Sequence, residues 1–210
     1  MVSSMLALDA LLRDPRLWRG RASAPKADGQ STGHAELDAV LPSGGWPQAA
    51  LSEVLIAADG IGELRLLLPT IARLTRAGTP VLLVAPPYRP YAAAWSAAGV
   101  DLAHLHVVSC APKEALWTSE QALRSAACGA VLCWPGQAND RALRRLQVAA
   151  ESGRCLGFCT RPSSVEIQPS PAALRLRIDA TGATAVPQIR VLKCRGGLPP
   201  ARPIALSALH

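Results

Sequence analysis

From residue 31 onward the chain alternates short, almost purely apolar runs with helix-periodic segments, and that alternation is its strongest constraint. Pro80–Ala85 (PVLLVA) and Ala130–Trp134 (AVLCW) contain no charged residue. Runs of this kind are strands covered on both faces, as in a parallel sheet sandwiched between helices. The pattern predicts a short helix Ala35–Leu41, a Ser43-Gly44-Gly45 turn, a strand Leu51–Ile56 and a helix from Glu63 to about Arg76 interrupted at Pro69. Strand Pro80–Ala85, helix Tyr91–Ala98, strand Leu105–Val108, helix Lys113–Cys128, strand Ala130–Trp134, helix Asn139–Glu151 and strand Cys155–Thr160 follow. Leu174–Ile178 and Gln188–Lys193, flanking Thr181-Gly182, read as antiparallel strands at a sheet edge.

Upstream of this domain, Met5, Leu8, Leu11 and Leu12 form the stripe of a short amphipathic helix that stops before Pro15. Residues 20–30, GRASAPKADGQ, have linker composition. Residues 1–30 are therefore expected to be a separable helical arm and linker, and residues 31–210 a single α/β domain.

Half of the 210 residues are apolar and 18% are charged, enough to build a core and too apolar for wholesale disorder. Five of the eight aromatics are Trp, so the core is expected to be mostly Ala, Leu and Val. No apolar run approaches the roughly 18 residues of a membrane span. The first 20 residues lack a positive n-region, and Asp9 interrupts their apolar stretch, so no secretory signal and a cytoplasmic location are expected. The six Cys show neither a CxxC pair nor a His at ligand spacing and read as small reduced core residues.

A sheet of this kind holds nucleotide by wrapping phosphate in the backbone N–H groups of the loop after its first strand, with a Lys supplying charge. Here that loop runs Ala57-Ala58-Asp59-Gly60-Ile61-Gly62-Glu63-Leu64. Gly60 and Gly62 are present, but Glu63 stands where the Lys belongs and Leu64 where a Ser or Thr belongs. The strand that should end in a magnesium-binding Asp ends in Trp134 and Pro135. These two losses predict a protein without ATPase activity, so no catalytic residue, metal or cofactor is assigned. His34, His104, His106 and His210 form no spaced metal set, and Ser109-Cys110 lacks the context of an elbow nucleophile.

Ser31-Thr32-Gly33, Glu36-Leu37-Asp38, Leu41, Gly44-Gly45, Pro47 and Glu53 resemble, in that order, the start of the RecA recombinase core. Gly60-Ile61-Gly62-Glu63-Leu64, Ala85-Pro86-Pro87, Ala115-Leu116-Trp117 and Glu120-Gln121-Ala122-Leu123 continue the resemblance. With Arg144-Arg145-Leu146-Gln147 and Val191-Leu192-Lys193-Cys194-Arg195-Gly196-Gly197, the set looks like the ImuA family, RecA-like accessory proteins of bacterial mutagenesis cassettes. The resemblance runs over about residues 5 to 207. It implies a RecA-like core with a degenerate nucleotide site. It also implies a non-catalytic role in SOS-induced translesion synthesis, beside an inactive Y-family polymerase homologue (ImuB), an error-prone replicative-type polymerase, and RecA. A second family, the SulA-type cell-division inhibitors, resembles the same reduced core and implies instead that the chain binds the tubulin-like division protein.

Charge is uneven along the chain. Residues 141–210 carry eleven basic and three acidic groups, whereas residues 1–140 are nearly balanced. Arg141, Arg144, Arg145, Arg161, Arg190, Lys193 and Arg195 are the candidates for non-specific contact with DNA or with an acidic partner, a solvated basic face being the plainer alternative. On helix 139–151 the arginines are expected outside and Leu143, Leu146 and Ala150 inside. Trp95 and Trp117 are assigned to the core; Trp18 and Trp46, in Pro- and Gly-bounded segments, are assigned to exposed contact surfaces. The arm residues Met5, Leu8, Leu11, Leu12 and Trp18 are the candidate partner-binding element.

Overall fold

A computed structural model of the chain describes residues 29–136, 138–179 and 186–206. The candidate arm residues Met5, Leu8, Leu11, Leu12 and Trp18 lie outside the described residues. The elements in order are α1 (Ala35–Asp38), β1 (Leu51–Ile56), α2 (Glu63–Arg76), β2 (Val81–Val84), α3 (Ala92–Ala97) and β3 (Leu105–Val108). They continue with α4 (Pro112–Arg124), β4 (Ala130–Cys133), α5 (Asp140–Gly153), β5 (Leu156–Pro162), β6 (Leu174–Asp179), β7 (Gln188–Cys194) and β8 (Ile204–Ala205).

The eight strands form one sheet in the order β3-β2-β4-β5-β1-β6-β7-β8. Neighbours run parallel from β3 to β6; β7 pairs antiparallel with both β6 and β8. This is the mainly parallel α/β sheet, with antiparallel strands toward the C-terminus, that the alternating pattern predicted. One expectation needs correction: β6 is not an edge strand. It pairs parallel with β1 through Ser52↔Leu174 to Ile56↔Ile178, and the edge lies two strands further out, at β8.

β1 sits between β5 and β6, with all six of its residues buried, including Ser52 and Glu53. One core layer gathers Leu66, Leu67 and Ile71 of α2, Trp95 of α3, and Trp46 against the sheet. The other gathers Leu123 of α4 with Leu143, Leu146, Ala149 and Ala150 of α5. The inward face of α5 is therefore the one its periodicity predicted. Asn139 caps that helix by accepting from Ala142 N–H at 2.9 Å, and Gln147 Oε1 accepts from Leu51 N–H at 3.0 Å, tying α5 to the start of β1.

α2 runs unbroken through Pro69, contrary to the interruption expected. A proline inside a helix removes one i→i−4 bond. Here the flanking residues Leu66, Leu67, Thr70 and Ile71 are all buried, so packing holds the helix across the gap. Gly33, at φ +86°, lies directly over the Pro69 ring, where any Cβ would overlap it. Among the described residues, no helix is long and apolar enough to cross a membrane.

Candidate functional site

The loop between β1 and α2 folds back on itself. Gly60 N–H donates to Glu63 Oε1 at 2.9 Å, and Gly62 N–H donates to Glu63 Oε2 at 3.2 Å. Gly62 takes φ +118° to open the helix, and a Cβ there would meet Pro187 Cγ at 2.8 Å. Glu63 itself is buried. The amides of Gly60 and Gly62, which in a nucleotide-binding loop would face phosphate, thus already hold a carboxylate from the first turn of α2. A carboxylate at a helix N-terminus is stabilised by the macrodipole, and it repels a second anion. Leu64 packs against the core and offers no hydroxyl to a metal.

Beside this loop, at the carboxyl ends of β1, β2, β4 and β5, a cleft of about 620 Å³ is lined by Ala58, Asp59, Ala85, Cys110, Trp134 and Thr160, among others. Crevices in α/β sheets form at this end of the strands. Trp134 stands at the end of β4, packed on the core, with its indole N–H buried and without a hydrogen-bond partner among the described residues. Arg161 also reaches the wall, but its charge is spent inside the protein.

Arg161 is 3% exposed, which corrects its assignment to a surface patch. Its Nη1 donates to Glu53 Oε1 at 2.7 Å and its Nη2 to the Ala138 carbonyl at 2.6 Å. Arg175 Nε lies 2.7 Å from Glu53 Oε2, a charge contact too far out of line for a hydrogen bond. Arg175 also donates to the carbonyls of Val165, Glu166 and Gln168, fixing the turn after β5. The buried trio Arg161–Glu53–Arg175 thus joins β5, β1 and β6, three adjacent strands. Alongside it, Cys159 pairs with Cys133 across β5 and β4, and the Cys133 contact together with burial raises the Cys159 thiol well above its ordinary value. Cys133, Cys155, Cys159 and Cys194 are buried free thiols; Cys110 and Cys128 are half-buried.

The other basic candidates are exposed. Arg141, Arg144 and Arg145 line the outside of α5, while Arg190 and Lys193 project from β7, with Arg195 just beyond it. The two groups meet where Arg195 Nη2 comes within 3.6 Å of Glu151 on the last turns of α5. Most of these charges have acidic partners: Arg144 with Asp140 at 3.8 Å, Arg190 with Asp179 at 3.7 Å, and Arg145 with Glu120. Lys193 donates to the Ser170 carbonyl at 2.7 Å, and its amine is held below its ordinary pKa by burial, then by Arg195 and Arg175 nearby.

Two Trp assignments are reversed. Trp46 is 0% exposed: its indole N–H donates to Thr70 Oγ1 at 2.8 Å, and its ring meets Phe158 edge-on at 4.9 Å. Trp117 is 61% exposed. Trp95, as expected, is buried.

These observations define a mixed α/β protein with a mainly parallel eight-stranded sheet, flanked by helices, whose β1–α2 loop is filled by its own carboxylate. No family model matches the chain. No curated protein matches it either. Among solved structures the chain is similar to SulA from Pseudomonas aeruginosa, at 26% identity over 54% of this chain and 98% of that chain, with a TM-score of 0.47. A superposition at that level defines no shared site.

Proposed function

We propose that this chain is a non-hydrolysing accessory protein of damage-induced translesion synthesis, acting through protein contacts with a Y-family polymerase homologue (ImuB) and with RecA. One observation carries the first half of this reading: the Glu63 carboxylate is bonded to the Gly60 and Gly62 amides that a triphosphate would need. A nucleotide entering there would have to displace a buried anion without a Lys to offset its own charge. Chemistry in such an assembly belongs to the polymerase, and this chain serves as scaffold. The second half rests on the ordered motifs, from Ser31-Thr32-Gly33 to Val191–Gly197, that resemble the ImuA family.

The test has two arms. Calorimetric titration of the full chain with millimolar ATP and magnesium is expected to give no saturable heat; micromolar binding overturns the non-hydrolysing reading. Capture of purified ImuB and RecA on the immobilised full chain is expected to succeed with at least one of them. Failure with both, together with filamentous cells of normal damage tolerance on overexpression, assigns the chain to the SulA-type division inhibitors instead.

A further inference from the structure

Trp117 is an uncovered aromatic in the outer helical layer. It lies on α4, whose inward stripe is Ala115, Ser119 and Leu123. Three residues beyond it, the buried Glu120 carboxylate holds Arg124 of the same helix at 2.8 Å and Arg145 of α5. Three residues beyond Arg145, Val148 is 48% exposed. Residues three apart on a helix are surface neighbours. The Glu120 cluster therefore stitches α4 to α5 with bare apolar surface on both sides of the stitch, Trp117 on one helix and Val148 on the other.

The charges of this layer favour an acidic partner. Glu120 is shared by two arginines, Glu151 lies 3.6 Å from Arg195, and Asp140 lies 3.8 Å from Arg144, while Glu114 keeps its charge. Against these four carboxylates α4 and α5 carry Lys113, Arg124, Arg141, Arg144 and Arg145. Lys113 and Arg141 are exposed and make no ion pair among the described residues. Arg124 and Arg145, two cations sharing one carboxylate, leave a net positive charge beside the indole. Aromatic and Arg side chains are the residues most enriched at binding hot spots, and rim cations steer acidic partners.

We propose that the α4–α5 face around Trp117 docks an acidic amphipathic protein segment, one of whose apolar side chains packs on the Trp117 ring while its carboxylates meet Arg124, Arg145 and Arg141. A protein segment fits this face better than nucleic acid does. Glu114, Asp140 and Glu151 are exposed among the cations, and an unbroken run of phosphates would lie against all three. The proposal rests on the protein-contact reading above and assigns that reading a surface.

The probe is a fluorescein-labelled amphipathic peptide of Glu, Leu and Ala, titrated by anisotropy into the full chain. Comparison probes are the same peptide with Gln for Glu, and an oligothymidylate. Saturable binding of the acidic peptide is expected, weakened about tenfold or more by Trp117→Ala and by the Gln peptide. Tyr88→Ala, which removes another exposed aromatic, is expected to change nothing. No saturable binding, equal affinity in Trp117→Ala, or tighter binding of the oligothymidylate overturns the proposal; the last result assigns the face to nucleic acid. If ImuB or RecA is captured equally by wild type and Trp117→Ala, this surface falls and the proposed function stands. If wild type captures neither, the proposed function falls, and the peptide titration alone judges the surface.

Discussion

Glu53 and Arg161, 108 residues apart in sequence, meet at 2.7 Å with both side chains sealed from water. With Arg175 they place two positive charges and one negative in the middle of the sheet. Burying charge is costly unless it is paired, and removing one partner exposes that cost in full. Glu53→Gln keeps the size of the side chain and leaves two guanidinium groups uncompensated. The substitution is expected to destabilise by about 3–5 kcal/mol, read from the midpoint of urea unfolding. A loss below about 1 kcal/mol would mean that the carbonyls of Ala138, Val165, Glu166 and Gln168 suffice to hold both arginines.

Glu63→Ala removes the acceptor of the Gly60 and Gly62 amides. The expected cost is about 1–3 kcal/mol, seen as a lower melting temperature. An unchanged melting curve would show that the loop keeps its shape without the carboxylate.

The exposed arginines of α5 are not equivalent. Arg141→Glu and Arg144→Glu are expected to shift stability by no more than about 0.5 kcal/mol. Arg145→Glu sets a second carboxylate against the buried Glu120 and is expected to cost about 1–3 kcal/mol. Thermal melts of the three single variants decide the matter, and equal melts would remove Arg145 from the α4–α5 contact.

Burial pushes the Cys155 thiol up to about 12, with Cys128 adding to the rise and the Val131 backbone opposing it. The unfolded chain releases that proton near the ordinary value of 9.0, so the folded state binds it more tightly. The stabilising contribution is intact below pH about 9 and disappears as pH rises through about 12. Denaturation midpoints of wild type and Cys155→Ala should therefore converge with rising pH. A constant gap would deny the coupling.

Gly33→Ala is expected to be among the most damaging single-methyl additions. It combines a left-handed backbone at φ +86° with an overlap on the Pro69 ring. A loss of about 1–3 kcal/mol is the expectation, and a variant as stable as wild type would mean that α2 shifts freely.

The parts of the fold carried by local pattern were readable. The β1 bounds agree with the strand expected over Leu51–Ile56, and the buried face of α5 follows its 3.6-residue period. The departures come from contacts distant in sequence. Arg161 looked like a surface charge because its partner Glu53 lies on a strand formed by residues far upstream. Trp46, bounded by Gly and Pro, looked exposed; Thr70 and Phe158 bury it. Trp117 departs for a local reason: Ala115, Ser119 and Leu123 form the inner stripe of α4 and leave position 117 outside it. In the β1–α2 loop the charge of Glu63 is legible in the sequence, but the bonds that turn it back onto Gly60 and Gly62 needed three-dimensional geometry.

The position of β1 between β5 and β6 bears on the order of events during synthesis. Both neighbours of this strand are encoded about a hundred residues after it. At about 5–20 residues per second, the ribosome leaves Leu51–Ile56 without either edge partner for about 5–20 s. Through that interval the nascent strand exposes Leu51, Val54, Leu55 and Ile56 with an unpaired Glu53 among them. A charge inside a β-prone segment opposes edge-to-edge pairing, so the carboxylate that anchors two arginines in the folded sheet is also the residue in this segment expected to slow its aggregation until those partners emerge.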